Sequence, residues 1–198
     1  MPPSRRQDIL RAALSWFLEQ GVVDTTIDDI LIRSGASVGS FYHHFAGKDA
    51  VADALFTDCV TAYHEAAHKV LAGALSLEAG IRGIVVHHLT WVTEHSDQAR
   101  FILGYREHEL RPASEHLSQS NRDFFELLEH WLCERLPQAR TLSLPSIIAV
   151  WLGPAQEYAR HWLAGHSKQS PLQVAQALAD ATWSAMTTII HIPESTPQ

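Results

Sequence analysis

The residue types and spacing that could carry chemistry lie between positions 26 and 45 of the chain. Thr26 begins a capping-box pattern, because its hydroxyl can accept from a free N–H of the first helical turn that follows it. A tight turn then falls at Gly35, where glycine allows a positive φ without steric cost. Ser37 can cap a second short helix over about 38–44. Two short helices joined by such a turn predict a helix-turn-helix.

The second helix of this motif has an apolar side and a polar side. Phe41 and Phe45 are four residues apart and are predicted to point inward, as are Ile27, Ile30 and Leu31 of the first helix. The opposite side carries short polar groups and an aromatic hydroxyl, a surface that can approach a nucleic-acid groove closely. A helix corner of this kind also occurs in proteins that bind no DNA. The outward face consists of Ser37, Val38, Gly39, Ser40, Tyr42 and His43.

The elements that must position this face are helical. Apolar residues recur at intervals of three and four, no proline occurs between Pro3 and Pro112, and no hairpin dipeptide is present. The pattern predicts an all-α chain with three small helices, the first ending at Gly21, and then five or six larger ones. Gly153-Pro154 should kink or restart the penultimate helix. The later helices are predicted over about 47–71, 76–95, 97–103, 112–136, 145–164 and 171–191.

Composition excludes several protein classes. A hydrophobic fraction of 46% and a charged fraction of 19% over 198 residues are typical of a folded core and not of disorder. No run of about 18 uncharged apolar residues occurs, so we expect no membrane span. The start, MPPSRRQDIL, lacks the pattern of a secretory signal. Cys59 and Cys133 are too few for a disulfide framework, and we expect free thiols and a cytoplasmic protein.

One segment resembles a known family. The stretch TTIDDILIRSGASVGSFYHHFAGKDAV, with RQDILRAALSWFLEQG before it, resembles the N-terminal DNA-binding region of the tetracycline-repressor (TetR/AcrR) family. The resemblance covers about residues 5–52, and GSFYHHFAGKDA is its most specific part. It implies a three-helix DNA-binding domain with a helix-turn-helix over 1–48. A larger helical effector-binding and dimerisation domain is then expected over 49–192.

The resemblance also implies a function and residue roles. Members of the family are mostly repressors that bind a pseudo-palindromic operator in double-stranded DNA as homodimers and are released by a small-molecule effector. Thr26, Tyr42, His44 and Lys48 match positions that contact the DNA backbone, and such hydroxyl and cationic groups are usual phosphate ligands. Base readout is expected from the variable or close-approach positions Ser37, Val38, Gly39, Ser40 and His43.

Two C-terminal segments have the character of a dimer interface. The predicted helix over 145–164 is apolar on most sides, so it must bury more than one of them. The predicted helix over 171–191 keeps a seam of mostly small residues at heptad spacing, which consists of Ala175, Leu178, Thr182, Ala185 and Ile189. In the family, the last two helices of each subunit form a four-helix interface, and two half-sites on DNA require a dimer. The resemblance therefore implies a homodimer through these segments, while packing within a monomer is the alternative.

A candidate effector pocket follows from aromatic spacing. His87, Trp91 and His95 recur every four residues on one predicted helix. Aromatic walls around a few polar groups suit a small-molecule site, although the same stripe also suits a plain core. Both interpretations remain open. Further aromatic walls are expected from Phe101, Tyr105, Trp131, Trp151 and Tyr158.

Features of the sequence allow two function classes other than a DNA-binding regulator. His64 and His68 are four residues apart and, with His87 and His88, could serve a small all-α metal hydrolase. No HExxH motif, nucleophile motif or Gly-rich phosphate loop accompanies them, so we expect no enzyme, no cofactor and no metal site. The other alternative is a helical interaction module that has lost DNA binding. The phosphate-directed set described above argues against it.

The net charge does not exclude DNA. The chain carries a formal charge of −7, but residues 1–48 hold five basic and five acidic groups and are neutral overall. All of the negative excess therefore belongs to the rest of the chain. This balance predicts weak non-specific attraction to DNA, so specific contacts and dimeric avidity must supply more of the affinity.

Overall fold

The computed structural model describes residues 4–108, 115–137, 139 and 142–190, and for residues 105–108, 115–121 and 190 it describes the backbone alone. Within these ranges the chain is helical and has no strand, so the predicted all-α class is confirmed. The helices described there are α1 (Arg5–Asp24), α2 (Ile27–Ser34), α3 (Val38–His44), α4 (Lys48–Ala72), α5 (Leu77–Glu94), α6 (Ser96–His108), α7 (Glu115–Arg135), α8 (Leu144–Trp151), α9 (Gly153–Leu163) and α10 (Pro171–Ile190).

The helix-turn-helix begins and turns where the sequence predicts. The Thr26 hydroxyl accepts from the backbone N–H of Asp29 at 3.2 Å and caps α2. The Ser37 hydroxyl accepts from the N–H of Ser40 at 3.2 Å and caps α3. Gly35 has a φ of 63°, the left-handed conformation that glycine adopts most easily at the end of a helix. The two predicted helix caps and the predicted turn at glycine are therefore confirmed.

The later helices agree with the predicted ranges at one point and differ at another. The predicted restart at Gly153-Pro154 is confirmed, because α8 ends at Trp151 and α9 begins at Gly153, where proline cannot supply an N–H to a continuous helix. By contrast, α6 continues to His108, beyond the predicted 97–103. Gly104 weakens a helix but does not end it. The predicted start of the next helix at 112 lies outside the described residues.

The chain divides into two compact units. Unit 1 comprises the residues up to 62 together with 97–117, and unit 2 comprises 63–96 and the residues from 118 onward. The unit that holds the helix-turn-helix is therefore not a single continuous segment. Its core gathers Ile9, Ala13 and Phe17 of α1 with Ile30, Phe41, Phe45 and Val51, and Phe101 of α6 stacks on Phe17 with ring centroids 5.8 Å apart.

Polar contacts fix α2 against α1 in unit 1. The indole N–H of Trp16 donates to the backbone carbonyl of Asp29 at 2.9 Å. The Arg33 guanidinium lies 3.8 Å from the centre of the Trp16 ring and donates to both carboxylate oxygens of Glu19, at 2.6 and 3.1 Å. These hydrogen bonds hold the pKa of Glu19 below its ordinary value. The pair and the stacked indole together set the position of the first helix of the motif.

Unit 2 is built around α5 and α10, with α7, α8 and α9 beside them. Trp151 is fully buried and its indole N–H donates to the carbonyl of Ile81 at 3.0 Å. Trp131 donates in the same way to the carbonyl of Leu71 at 3.1 Å, and the two indole rings are 6.1 Å apart. Large aromatic groups thus fill this core with their polar atoms satisfied. None of the helices in the described ranges is long and apolar enough to cross a membrane.

Gly80 of α5 lies so close to Trp131 that it leaves no room for a methyl group. A Cβ added at Gly80 would lie 2.1 Å from Cη2 and 2.3 Å from Cζ2 of that indole. The ring cannot shift freely because its N–H is bonded to Leu71. We therefore expect Gly80→Ala to lower the free energy of unfolding by about 1–3 kcal/mol, measured by urea denaturation.

The matched control is Gly104→Ala in α6, where a Cβ would meet no atom within 4 Å. That change should raise the free energy of unfolding by up to about 1 kcal/mol through helix propensity alone. Equal stability of Gly80→Ala and the unaltered protein would contradict the close contact with Trp131.

Candidate DNA-binding surface and effector site

The short helix α3 turns one side to the core and the other to solvent. Phe41 is fully buried and Phe45 nearly so, whereas Val38 is 58% and Tyr42 is 55% exposed. Ser40 is half-buried. The structure thus places the predicted outward residues together on one surface of unit 1. Its remaining exposed members are Ser37, Gly39, His43 and His44.

Gly39 has no partner that explains its lack of a side chain. It lies in the helix α3 with no positive φ, and a Cβ added there would meet no atom within 4 Å. The fold itself therefore tolerates a larger residue at this position. A bare backbone on an exposed helix instead allows another molecule to approach closely.

Thr26 lies at the start of α2 with its hydroxyl already engaged. Its Oγ1 donates to Oδ2 of Asp29 at 2.7 Å while accepting from the N–H of that residue, and the N–H of Thr26 donates to the same carboxylate at 2.9 Å. These bonds lower the pKa of Asp29. A phosphate contact through this hydroxyl would have to replace its bond to the carboxylate, a competition that the spacing of the sequence does not reveal.

Lys48, the first residue of α4, reaches back to the end of α1. Its Nζ donates to the backbone carbonyl of Val23 at 2.6 Å. An ammonium group has three protons, so two remain for other acceptors. The contact holds the side chain beside the first turn of α4, where the helix dipole also favours an anion. Lys48, which the sequence predicts to contact phosphate, therefore also forms a structural tie to α1.

Two arginines of unit 1 are paired with carboxylates of neighbouring helices. Arg6 of α1 donates to both carboxylate oxygens of Asp58 in α4, at 2.7 and 3.2 Å, and this contact raises the pKa of Arg6. Arg33 is paired in the same manner with Glu19. Cations that are paired in this way add little to a general attraction to phosphate. This agrees with the neutral charge balance of residues 1–48.

A second candidate site is a group of rings in unit 2. The ring of Tyr63 lies 5.0 Å from His87, 5.4 Å from Trp91 and 6.1 Å from Phe124, measured between centroids. Phe124 in turn stacks on His64 at 4.0 Å. We call these five residues of α4, α5 and α7 the aromatic cluster. It joins the predicted His87 and Trp91 to residues that sequence reasoning did not assign to a pocket.

His88 lies at the edge of the aromatic cluster and contacts its central residue. The Tyr63 hydroxyl is 3.1 Å from Nδ1 of His88, and the ring centroids are 5.8 Å apart. Burial and the neighbouring His87 lower the pKa of His88 to about 4, so the imidazole is neutral at ordinary pH. Burial also raises the pKa of the Tyr63 hydroxyl, which stays protonated. No periodic signal links positions 63 and 88, and only the packing of α5 against α4 brings them together.

The other predicted pocket residues do not belong to the aromatic cluster. His95 is exposed, with its ring 5.5 Å from Trp91. Trp131 and Trp151 form the separate buried pair described above. Phe101 belongs to the core of unit 1, and the side chain of Tyr105 lies outside the described residues. Tyr158 of α9 shares a hydrogen bond with the Ser167 hydroxyl at 3.0 Å and donates to the carbonyl of Gln169 at 3.1 Å, which anchors the loop after that helix.

The histidines do not assemble into a metal centre in the described part of the chain. No group of three or more His, Cys, Asp or Glu side chains there could hold a metal ion. His64 stacks on Phe124, and His68 on the same helix is exposed. The spacing that suggested a ligand pair therefore has no further ligand among these residues.

Comparison with known proteins gives matches over the helix-turn-helix and over the whole fold. Residues 9–55 match the family model for bacterial regulatory proteins of the tetR family. The HTH-type transcriptional repressor KstR2 of Mycobacterium tuberculosis is 33% identical over 104 residues, which cover 49% of this chain and 52% of that protein. The chain thus spans about half the length of the curated relatives it matches.

Solved structures match over most of the chain. The fatty acid degradation regulator FadR from Bacillus halodurans has a TM-score of 0.76 at 16% identity and covers 92% of this chain and 96% of its own. FadR from Bacillus subtilis, solved in complex with stearoyl-CoA, has a TM-score of 0.69 at 16% identity over 90% and 98% of the two chains. These likenesses establish the fold. Over residues 9–55, which hold the helix-turn-helix, the chain matches the tetR family of bacterial regulatory proteins.

Proposed function

We propose that the protein is a DNA-binding transcriptional repressor that binds a pseudo-palindromic operator as a homodimer and is released by a small-molecule effector. The observation that carries the proposal is the outward face of α3, which is exposed while Phe41 and Phe45 anchor the helix in the core. Residues 1–48 would provide the DNA-binding domain, and residues 49–192 would bind the effector and form the dimer. The relative KstR2 is named a repressor, which supports this sign of regulation.

The chemistry of the α3 face supports direct reading of base edges. Val38 exposes methyl groups that can meet a thymine methyl, and the Ser37 hydroxyl can pair with several bases. Tyr42, His44 and Lys48 would hold the phosphates on either side. Since Arg6 and Arg33 already have carboxylate partners, this short polar surface would supply most of the affinity for DNA.

The surface of α10 supports dimerisation. Ala175 and Thr182, two members of the predicted seam, are buried within the chain itself, so they are not available to a partner. One side of the helix is nevertheless exposed, uncharged and small, next to the exposed Gln176 and Asp180. Two such helices can pack closely because no long side chain separates their backbones. This side consists of Ala177, Ala181, Ser184 and Thr188, flanked by the half-buried Val174, Leu178 and Ala185.

Effector binding is supported by the aromatic cluster of unit 2. Aromatic rings from three helices that also carry hydroxyl, imidazole and indole N–H groups are typical of a site for a small molecule with an apolar body. FadR of Bacillus subtilis, which shares the fold, has been solved with stearoyl-CoA. A bound molecule that prefers one arrangement of unit 2 would change the population of the DNA-binding form.

Selection of duplexes from a random-sequence library tests the proposal as a whole. We expect the protein to retain a pseudo-palindrome, and Gly39→Ala to bind that sequence at least about tenfold more weakly, because the added methyl group blocks close approach of α3 to the groove. The stability of Gly39→Ala should be unchanged or raised by up to about 1 kcal/mol. Failure to enrich any sequence would refute the proposal, and full affinity of the variant would refute the role of Gly39.

Lys48→Met tests the phosphate contact. The change should weaken binding to the selected operator and to random DNA by the same factor, about three- to tenfold. It should also reduce the steepness of the slope of log K against log salt concentration by about one. Fluorescence anisotropy over a range of salt concentrations measures both. Lys69→Met, at the exposed far end of α4, should leave both unchanged. A loss confined to one base position would show that Lys48 does not act on phosphate.

Ala181→Arg tests the dimer. The substitution places a charge in the middle of the small-residue side of α10, and two-fold symmetry brings two such charges together. We expect the dissociation constant of the dimer, measured by analytical ultracentrifugation, to increase by about 100-fold or more. Gln176→Arg is the control, because that exposed residue of α10 lies toward Asp180 and away from the small-residue side. A monomeric protein, or an undisturbed dimer in Ala181→Arg, would contradict the interface.

A further inference from the structure

His88 has a buried hydrogen-bonding atom without a partner. Its Nε2 is shielded from solvent and has no hydrogen bond to any residue that the structure describes. The other ring nitrogen, Nδ1, lies 3.1 Å from the Tyr63 hydroxyl. Buried polar atoms in proteins are almost always satisfied, and an exception calls for an explanation such as a ligand or a bound water.

Counting hydrogens on the pair identifies what Nε2 lacks. If the Tyr63 hydroxyl donates to Nδ1, the proton of the neutral imidazole sits on Nε2 and only that N–H is unsatisfied. If Nδ1–H donated to Tyr63 instead, both the phenol hydrogen and the Nε2 lone pair would lack partners. The first arrangement leaves fewer unpaired groups, so Nε2–H is a donor. It therefore lacks an acceptor, and the natural acceptor is an oxygen atom.

The surroundings indicate that this acceptor carries no charge. The groups that titrate beside His88 are Tyr63, which stays protonated, and His87, whose pKa is lowered by burial. His87 donates from Nε2 to the Tyr63 carbonyl at 3.3 Å, and its lowered pKa favours the neutral imidazole. Among the residues that the structure describes, no carboxylate raises the pKa of either histidine. A carboxylate ligand placed here would lose its hydration with no positive charge to compensate, whereas an uncharged oxygen would not carry that cost.

Aromatic surface lies beside the donor. Tyr63 is in edge contact with His88, and Trp91 and Phe124 meet Tyr63 edge-on as well. A molecule whose oxygen reached Nε2 would therefore place the rest of its body near these rings. Apolar walls with one well-placed donor give both affinity and orientation to a small ligand.

We propose that the Tyr63–His88 pair is the polar recognition point of the effector site, with Nε2–H of His88 donating to an uncharged carbonyl oxygen on a ligand whose apolar body packs on Tyr63, Trp91 and Phe124. The carbonyl belongs to a ketone, an ester or a thioester. Tyr63 is a positioning residue, since its hydroxyl holds the tautomer that presents the donor. The inference rests on the proposed function, in that this ligand is taken to be the effector.

Matched probes that differ in one functional group test this inference. The first set is 2-acetylnaphthalene, 2-ethylnaphthalene and 2-naphthoate, and the second is 2-octanone, octane and octanoate. Tryptophan fluorescence and calorimetry measure their binding to the full-length protein at pH 7. We expect the ketone of at least one set to bind about tenfold more tightly than its hydrocarbon, the effect of one buried hydrogen bond. The carboxylate should bind more weakly than the ketone and gain affinity as the pH falls.

Variants of His88 assign the preference to its Nε2. In His88→Leu the ketone and the hydrocarbon should bind equally, and His88→Gln, whose amide N–H can replace the imidazole donor, should restore part of the difference. Tyr63→Phe should reduce the preference without abolishing binding of the hydrocarbon. His68→Leu, at an exposed position of α4, is the control and should leave every affinity unchanged. Thermal denaturation establishes that each variant is folded.

Several results would overturn the proposal. They are equal binding of ketone and hydrocarbon by the unaltered protein, a ketone preference that survives in His88→Leu, tight binding of the carboxylates alone, or no binding by either set at 1 mM. A crystal structure of the ketone complex with a water molecule at Nε2 would do the same. Failure of the proposed function is separate, because DNA binding is measured without probe. Ketone binding that leaves the DNA complex intact would refute the effector role and support the site.

Discussion

The burial of Phe41 and Phe45 is the constraint on which the candidate DNA-binding surface depends. The helix α3 has seven residues, and a helix of that length is unstable in water by itself. Its conformation and its orientation therefore come from two aromatic anchors in the core of unit 1 and from the Ser37 cap. Because both anchors lie on one side, the remaining positions are forced outward together. The same packing that stabilises the helix thus presents its polar side.

Charge pairing within unit 1 shapes how that surface can act. Arg6 joins α1 to α4 through Asp58, and Arg33 joins α2 to α1 through Glu19 and the Trp16 ring. These cations hold helices in place and are not left for phosphate. Lys48 is intermediate, since it is tied to the Val23 carbonyl and retains two protons. Paired cations between the helices are thus combined with a nearly neutral candidate DNA-binding surface, an arrangement that would favour specific over non-specific binding.

The core of unit 2 is organised around large aromatic side chains. Trp131 and Trp151 satisfy their indole N–H groups on backbone carbonyls, and Gly80 makes room for the first of them. His88 differs, because one of its two ring nitrogens is buried without a partner among the described residues, as is the Thr182 hydroxyl. The two tryptophans, whose indole N–H groups both have hydrogen-bond partners, therefore belong to the structural core of the unit. The histidine, with one ring nitrogen lacking a partner, belongs to the candidate binding site.

The sequence by itself determined the all-α class, the helix-turn-helix, its caps at Thr26 and Ser37, the left-handed Gly35 and the break at Gly153-Pro154. These features depend on local chemistry, namely capping hydroxyls, backbone freedom at glycine and the missing N–H of proline. The extent of α6 was not predictable in this way, because a single glycine weakens a helix without ending it.

Only the tertiary structure decided which distant residues meet. It separated Phe101 from the other pocket candidates, brought Tyr63 and Phe124 beside Trp91, and set His88 against Tyr63 across 25 positions of sequence. Helical periodicity specifies which side of a helix is apolar, but not which helix covers it. Contacts between elements depend on the packing of whole surfaces, and that information is not contained in any one segment.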